Sequence, residues 1–310
     1  MNRKTAGILA ITAVLVLGGG YVAWSAWRQS PASAAGGLDV TKRGSLLYVG
    51  ADGRVAQRAQ NGTTTTGDLR CLRVYSAGGT TSCMRTVAVP AGFETVVLGK
   101  SLEPLRTIRV DGTPSRTRVS ASGRLVAWTV FRTGDSYQPG RFSTTAGIYD
   151  TQSKRLYGSL EDFALTIDGQ PYDKPDVNYW GVTFAADDRT FYATVGSGDR
   201  TWLLRGDLAT RSLTSVRENA ECPSLSPDGT RVAYKKKDQD GQWRLTVLDL
   251  KAGTETPLAE TMNIDDQQVW LDNATIGYGR PQNAGVYAVP ADGSGAPTLV
   301  QARASSPSPL

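Results

Sequence analysis

The chain contains no histidine among its 310 residues. This absence excludes Ser-His-Asp and Cys-His catalysis, histidine proton shuttles and every zinc site that uses an imidazole ligand. The chain also has only three cysteines, too few for a disulfide-rich scaffold or a four-cysteine metal site. We therefore expect no metal site, no cofactor and no catalytic residue, and the composition favours a protein that is not an enzyme.

Long apolar runs are equally scarce, and the one that is present lies at the N-terminus. Residues 5–24 carry no charge and would span about 30 Å as a helix, which matches the hydrocarbon core of a bilayer. Arg3 and Lys4 precede this run and keep the N-terminus in the cytoplasm. We expect residues 1–28 to form a cytoplasmic tip and one membrane-spanning signal anchor, with the rest of the chain outside the cytoplasm.

An alternative interpretation of the N-terminus stays open. The segment Ala-Ser-Ala that ends at Ala34 has the small-x-small form of a signal peptidase site, which would give a secreted protein. In either case residues 29–44 are predicted to be a flexible tether. Residues 45–300 are the folded body, and residues 301–310, which end in Ser-Ser-Pro-Ser-Pro-Leu, are predicted to be a disordered tail.

The body repeats. Residues 226–234 (Ser-Pro-Asp-Gly-Thr-Arg-Val-Ala-Tyr) are the clearest copy, and weaker copies start at residues 120, 185 and 270. The last two steps between copies are 41 and 44 residues. Each copy is followed by a second apolar segment, a polar turn and another short strand. Four-stranded units of about 40–45 residues are typical of propeller blades.

The fold class predicted from this period is an all-β propeller. The body has room for about six four-stranded blades, and five to six can be traced. The hairpin at residues 46–57 is left as a partial blade, and pairing of the terminal strands would close the ring. Beyond the N-terminal run, no stretch of about 12 residues has helical periodicity.

The motif at residues 226–234 resembles the repeat of TolB-type, WD-like bacterial propellers. The resemblance covers most of residues 45–300 and implies the fold more than a function, because such propellers serve as envelope interaction scaffolds and as domains of peptidases. TolB-type proteins also carry an α/β domain before the propeller, where this chain has only the expected anchor and tether. The resemblance therefore implies a binding module without identifying its partner.

Two cysteines enclose a short hairpin. Cys71 and Cys83 flank a segment with Gly78 and Gly79 at its centre, so outside the cytoplasm we expect a disulfide between them. Pairing of either one with Cys222 remains the alternative.

The segment at residues 161–180 is the most suggestive candidate site. It is long for a connection between blades, and long connections carry function more often than short ones. Carboxylates beside aromatic rings can bind cations or sugars. The candidate binding residues are Asp168, Tyr172, Asp173, Asp176, Tyr179 and Trp180.

The predicted function is non-catalytic binding of a protein or a cell-envelope polymer by a propeller anchored in the cell membrane. The alternatives are a sensor of a small ligand or cation in the propeller channel, and a hydrolase or lyase that works without histidine. The net charge of +5 is spread along the chain, and no nucleic-acid motif is present, so nucleic acid is not expected as a partner. The basic run at residues 235–237 is predicted to lie on a solvated strand.

Overall fold

The structure is a computed structural model that describes residues 37–132 and 143–310. Within these two parts, 26 strands form six sheets that are the blades of a β-propeller. The predicted all-β propeller is confirmed, and the number of blades lies at the upper end of the predicted five to six.

The strands of the first three blades follow the chain order. Blade 1 contains β1 (Leu46–Gly50), β2 (Arg54–Arg58) and β3 (Thr64–Arg70). Blade 2 contains β4 (Arg73–Ala77), β5 (Thr80–Val87), β6 (Gly92–Leu98) and β7 (Pro104–Val110). Blade 3 contains β8 (Thr113–Val119), β9 (Leu125–Arg132), β10 (Ser143–Asp150) and β11 (Leu156–Tyr157).

The second half of the ring has one larger blade. Blade 4 has six strands: β12 (Ala164–Ile167), β13 (Gln170–Pro171), β14 (Asn178–Phe184), β15 (Thr190–Ser197), β16 (Arg200–Asp207) and β17 (Ser212–Glu218). Blade 5 contains β18 (Glu221–Leu225), β19 (Arg231–Lys237), β20 (Trp243–Asp249) and β21 (Glu255–Pro257). Blade 6 contains β22 (Val269–Trp270), β23 (Thr275–Arg280), β24 (Gly285–Pro290) and β25 (Thr298–Ala302). Two short 3-10 turns, Leu160–Asp162 and Pro281–Asn283, complete the elements together with β26 (Ala304–Pro309).

The repeated motif is the turn between the first and second strands of a blade. Gly229 donates its N–H to the carbonyl of Ser226 at 2.9 Å and has a φ of +71°, which suits glycine. Asp228 accepts hydrogen bonds from the Ser226 hydroxyl and from Thr230, which lower its pKa to about 2. The strand that follows is apolar on both faces because neighbouring blades cover both, and Val232 and Tyr234 are fully buried.

The C-terminal residues close the ring. Residues 304–309 form β26, the innermost strand of blade 1, which pairs with β1. The prediction of a disordered tail at residues 301–310 is therefore wrong, and with β3 and β26 the N-terminal hairpin becomes a complete blade. Pro307 and Pro309 are tolerated because β26 is an edge strand of its sheet, so one side of its backbone needs no partner.

The predicted tether ends earlier than expected. Val40 is buried against blade 1, and the main chain of Asp39 exchanges two hydrogen bonds with the side chain of Gln57. Residues 37–44 are thus part of the folded body and not of the tether. The predicted membrane anchor at residues 1–28 lies outside the described residues. In the two described parts of the chain, no helix is long and apolar enough to cross a membrane.

The disulfide prediction is confirmed. Cys71 and Cys83 are bonded, with their Cα atoms 5.5 Å apart, and the bridge joins the connection after β3 to β5. Cys222 is a free, buried thiol on β18.

Successive turns within a blade fall on opposite faces of the ring. We call the face with the turns after the first and third strands the repeat face, because it carries the Ser-Pro-Asp-Gly turn. The opposite face, with the connections after the second and fourth strands, is called the insertion face. It carries residues 158–177, which follow the fourth strand of blade 3, and residues 258–268, which follow the fourth strand of blade 5.

A close contact between blades 2 and 3 gives a first test of this packing. Gly78 has a φ of +56°, and a Cβ there would lie 2.3 Å from the carbonyl carbon of Ser122 in the next blade. We expect Gly78→Ala to destabilise the fold by about 2–3 kcal/mol, since both the backbone and the neighbour must shift. Gly229→Ala is the matched control because its φ is also positive but a Cβ there meets nothing within 4 Å, so it should cost about 1 kcal/mol. Denaturant unfolding measures both, and equal losses would contradict the packing.

Candidate binding site

The segment at residues 158–177 is a folded element that widens blade 4. β12 pairs in parallel with β17, the outer strand of the blade, and forms a hairpin with β13. Its apolar residues anchor it, since Phe163, Leu165 and Ile167 are all buried in the core shared with blades 3 and 4. The insertion therefore presents its polar side chains from a fixed support.

Hydrogen bonds lock the end of the insertion to the turn between β15 and β16. The carboxylate of Asp176 accepts from the Ser197 hydroxyl and from the N–H of Gly198, both at 2.7 Å. The hydroxyl of Tyr172 donates to Ser197 at 2.8 Å, and its ring meets that of Trp202 edge-on, with the centroids 6.0 Å apart. The bond from Ser197 lowers the pKa of Asp176, so this carboxylate is ionised and positions the insertion.

A cleft of about 1400 Å³ lies between the insertion and the insertion face of blades 3, 4 and 5. Trp180 lies on its floor and packs on Gly196, where a Cβ would come within 2.7 Å of the indole ring. Tyr179 is buried beside it, and this burial raises the pKa of the phenol. Asp173 is exposed at the edge of the cleft.

The structure brings together five of the six predicted binding residues. The cleft is lined by Tyr172, Asp173, Asp176, Tyr179 and Trp180. Asp168 does not belong to this group. It lies in the turn between β12 and β13, donates its N–H to the Ser215 hydroxyl at 3.0 Å, and borders a separate cavity of about 500 Å³. Asp168 is close in sequence to the other five residues, but the β12–β13 hairpin places it at the outer edge of blade 4.

The architecture has counterparts among solved structures. TolB from Acinetobacter baumannii matches 85% of this chain and 66% of its own chain with a TM-score of 0.61, at 14% sequence identity. The chain has a TolB-type propeller fold. It spans about two thirds of the TolB chain.

Two further solved structures share this propeller. A chain from a nidogen/laminin complex matches 85% of this chain and 97% of its own length, with a TM-score of 0.58 and 13% identity. A puromycin hydrolase matches 84% of this chain but only 44% of its own length, with a TM-score of 0.51 and 15% identity. No protein-family model and no curated protein sequence matches the chain. At these identities the comparisons show the fold alone.

Sequence analysis missed the part of the cleft that blade 5 of this TolB-type propeller supplies. The cleft lining also includes Trp243, Glu221 and Lys237. The Trp243 indole donates to Glu221 at 3.2 Å, and the Lys237 ammonium lies 3.8 Å from the same carboxylate. These residues are about 40–70 positions from the insertion in sequence, and no local pattern connects them to it.

The cleft is mixed in charge. Its lining contributes Arg132, Lys174, Arg200 and Lys237 against Glu161, Asp173, Asp176, Asp199 and Glu221. Several of these groups are already engaged: Arg200 pairs with Glu218 at 2.6 Å and stacks over Trp202 at 4.7 Å. Loss of hydration raises the pKa of Glu161, and the nearby Arg132 opposes this rise. The cleft thus combines aromatic surface with hydrogen-bonding groups of both signs.

Proposed function

We propose that this protein is a binding propeller displayed outside the cytoplasm and held at the cell membrane by its N-terminal segment. The cleft on the insertion face recognises a protein or a cell-envelope polymer. The observation that carries the proposal is the folded insertion, which fixes Tyr172 and Trp180 beside carboxylates in one open cleft. Support from the comparisons is limited to the fold, although one similar chain was solved in a nidogen/laminin complex.

Site-specific crosslinking on intact cells tests the proposed face. A photoreactive amino acid at Asp173 should capture the partner, because this position is exposed at the cleft. The same group at Thr210 is the control, since Thr210 is exposed in the same blade but lies on the repeat face. Digestion of the adduct with a protease or a glycan hydrolase then distinguishes a protein from a polymer. Identical adducts from both positions, or none from position 173, would refute the site.

A point variant tests the role of the aromatic floor. We expect Trp180→Ala to lower capture at least tenfold, because the substitution removes the indole ring from the cleft. A tenfold loss corresponds to about 1.4 kcal/mol of contact energy. Leu299→Ala removes an exposed apolar side chain from blade 6 and should leave capture unchanged. Deleting residues 163–176 is a poor test, since it would strip β12 from blade 4 and expose its core.

The second candidate function is a histidine-independent hydrolase or lyase in the same cleft. Glu161 favours it, because a carboxyl whose pKa is raised can act as a general acid. Under this alternative the captured polymer would be shortened by the wild-type protein and left intact by Glu161→Gln. A partner of unchanged length in both cases supports binding alone.

Mass spectrometry of the mature N-terminus separates retention of the anchor from cleavage near Ala34.

A further inference from the structure

Four cationic side chains converge at the insertion-face end of the channel. Arg73 comes from β4, Arg116 and Arg118 from β8, and Lys235 from β19. Lys235 is only 2% exposed, so the predicted solvation of the basic run at residues 235–237 is wrong for this residue, whereas Lys236 is half-buried and Lys237 is exposed. Arg116 and Arg118 are also buried. Buried cations at this density are costly unless anionic groups accompany them.

Two of these guanidinium groups lie side by side. Nε of Arg73 and Nη1 of Arg116 both donate to the carbonyl oxygen of Ser115, at 2.6 and 3.0 Å. Burial, and after it the like charge of Arg116, lower the pKa of Arg73, whereas the charges of Asp266 and Asp265 oppose this shift. An anion between them would relieve this repulsion.

One carboxylate caps the cluster. Asp265, from residues 258–268, places Oδ1 at 2.5 Å from the Lys235 ammonium and 3.4 Å from Nη2 of Arg116. The Asp265 side chain is 57% exposed, whereas those of Lys235 and Arg116 are 3% and 10% exposed. Solvent therefore reaches the carboxylate that covers two buried cations.

The Asp265 carboxylate does not pair with all four cationic side chains. Among the described residues, neither Arg73 nor Arg118 has a carboxylate within 4.0 Å, and Glu221 lies at 4.0 Å from Lys235 while also serving Lys237. Arg118 donates to the carbonyl of Gln268 at 3.0 Å and lies over the ring of Tyr75. Nε of Arg116 and Nε of Arg118 are buried without a hydrogen-bond partner. Asp266 also acts on Arg73 and Arg116 through its charge, so the four cations share three carboxylates, and one of these, Glu221, also serves Lys237.

We propose that the channel end is a binding site for a small oxyanion, a carboxylate or a phosphate, which takes the place of the Asp265 carboxylate on Lys235 and Arg116. Asp265 acts as an internal competitor that keeps the buried cations paired when the ligand is absent. This chemistry differs from the cation that sequence analysis considered for the channel. In the described parts of the chain, no group of three or more Cys, Asp or Glu side chains is arranged to hold a metal ion.

Titration of the purified full-length protein with sodium succinate and with sodium phosphate tests the site. Sodium chloride at equal ionic strength is the reference, because general screening affects all three salts alike. We expect saturable binding of at least one oxyanion by the wild-type protein, and the two probes distinguish a carboxylate site from a phosphate site. Asp265→Asn removes the competing charge with little change of shape and should tighten binding at least tenfold.

Asp272→Asn is the control. Asp272 is exposed in the turn between β22 and β23 on the repeat face, and its carboxylate accepts a hydrogen bond from the N–H of Ala274. Its substitution should leave the affinity unchanged, while Arg73→Gln should weaken binding at least fivefold. Absence of saturable binding in both the wild type and Asp265→Asn would overturn the proposal, as would equal tightening in Asp272→Asn. If Asp265→Asn does not fold, the wild-type and Arg73→Gln titrations decide the question.

Discussion

A chain that ends at residue 303 should lose cooperative unfolding, because the ring can no longer close. The truncation removes β26, the innermost strand of blade 1, and with it the ladder to β1. It also removes the strand by which the C-terminal end of the chain completes blade 1. Thermal unfolding followed by circular dichroism should show no sharp transition near the wild-type temperature.

Two serines explain why the effect is large. Ser306 and Ser308 each exchange two hydrogen bonds with the backbone of blade 2, through Val74 and Ser76, at 2.8–3.2 Å. They join the inner strands of neighbouring blades, which share no main-chain ladder. At about 1 kcal/mol each, these four bonds alone are worth about 4 kcal/mol, against a typical total stability of 5–15 kcal/mol.

Single substitutions on β26 test the same contacts, with smaller expected losses of stability. Ser308→Ala leaves the N–H and the carbonyl of Ser76 buried without partners, so we expect a loss of about 1–3 kcal/mol. Ser305→Ala is the matched control on the same strand, since the Ser305 hydroxyl makes no hydrogen bond within the described residues, and it should cost less than about 0.5 kcal/mol. Equal effects, or a truncated chain that melts like the wild type, would show that β26 does not close the ring.

Removal of the disulfide should lower the melting temperature by about 6–12 °C. The bridge closes a loop of 12 residues, and in the chain-entropy model such a loop contributes about 3 kcal/mol through the unfolded state. The conversion uses about 2–4 °C per kcal/mol for a chain of roughly this size. Calorimetry of Cys71→Ala/Cys83→Ala beside the wild type measures the difference.

Reductant provides the internal control. Dithiothreitol should lower the melting temperature of the wild type towards that of the double variant, and should leave the double variant unchanged. Since Cys222 is a free thiol in both proteins, it cancels in this comparison. A wild type that is insensitive to full reduction would show that the bridge does not contribute to stability.

The sequence predicted the blades because their signals are local. Turn chemistry such as Pro227, Asp228 and Gly229 and the 41–44 residue spacing of the copies are set by neighbours in the chain. The Cys71–Cys83 disulfide could be predicted for the same reason, since a single hairpin brings the two residues together. Five of the six candidate residues line one cleft because the insertion runs directly into β14, and their role in binding stays a prediction.

The failures share the opposite cause. The composition of residues 301–310 is that of a tail, and only pairing with residues more than 250 positions away makes it a strand. Asp168 left the cleft because β12 docks on β17, an outer strand that the insertion meets only in three dimensions. Both outcomes depend on which strands of the folded ring have a free edge for a further strand to pair with.

By itself, the sequence determined an all-β ring of repeated modules, its disulfide and the segment that forms most of the cleft, since each depends on residues near one another along the chain. Only the tertiary structure decided how the ring closes, which blade 5 residues complete the cleft, and that Lys235 is buried beneath Asp265. These features join residues of different blades, and burial and charge at the channel are set by where blades meet. The sequence pattern of a single blade does not predict such contacts between blades.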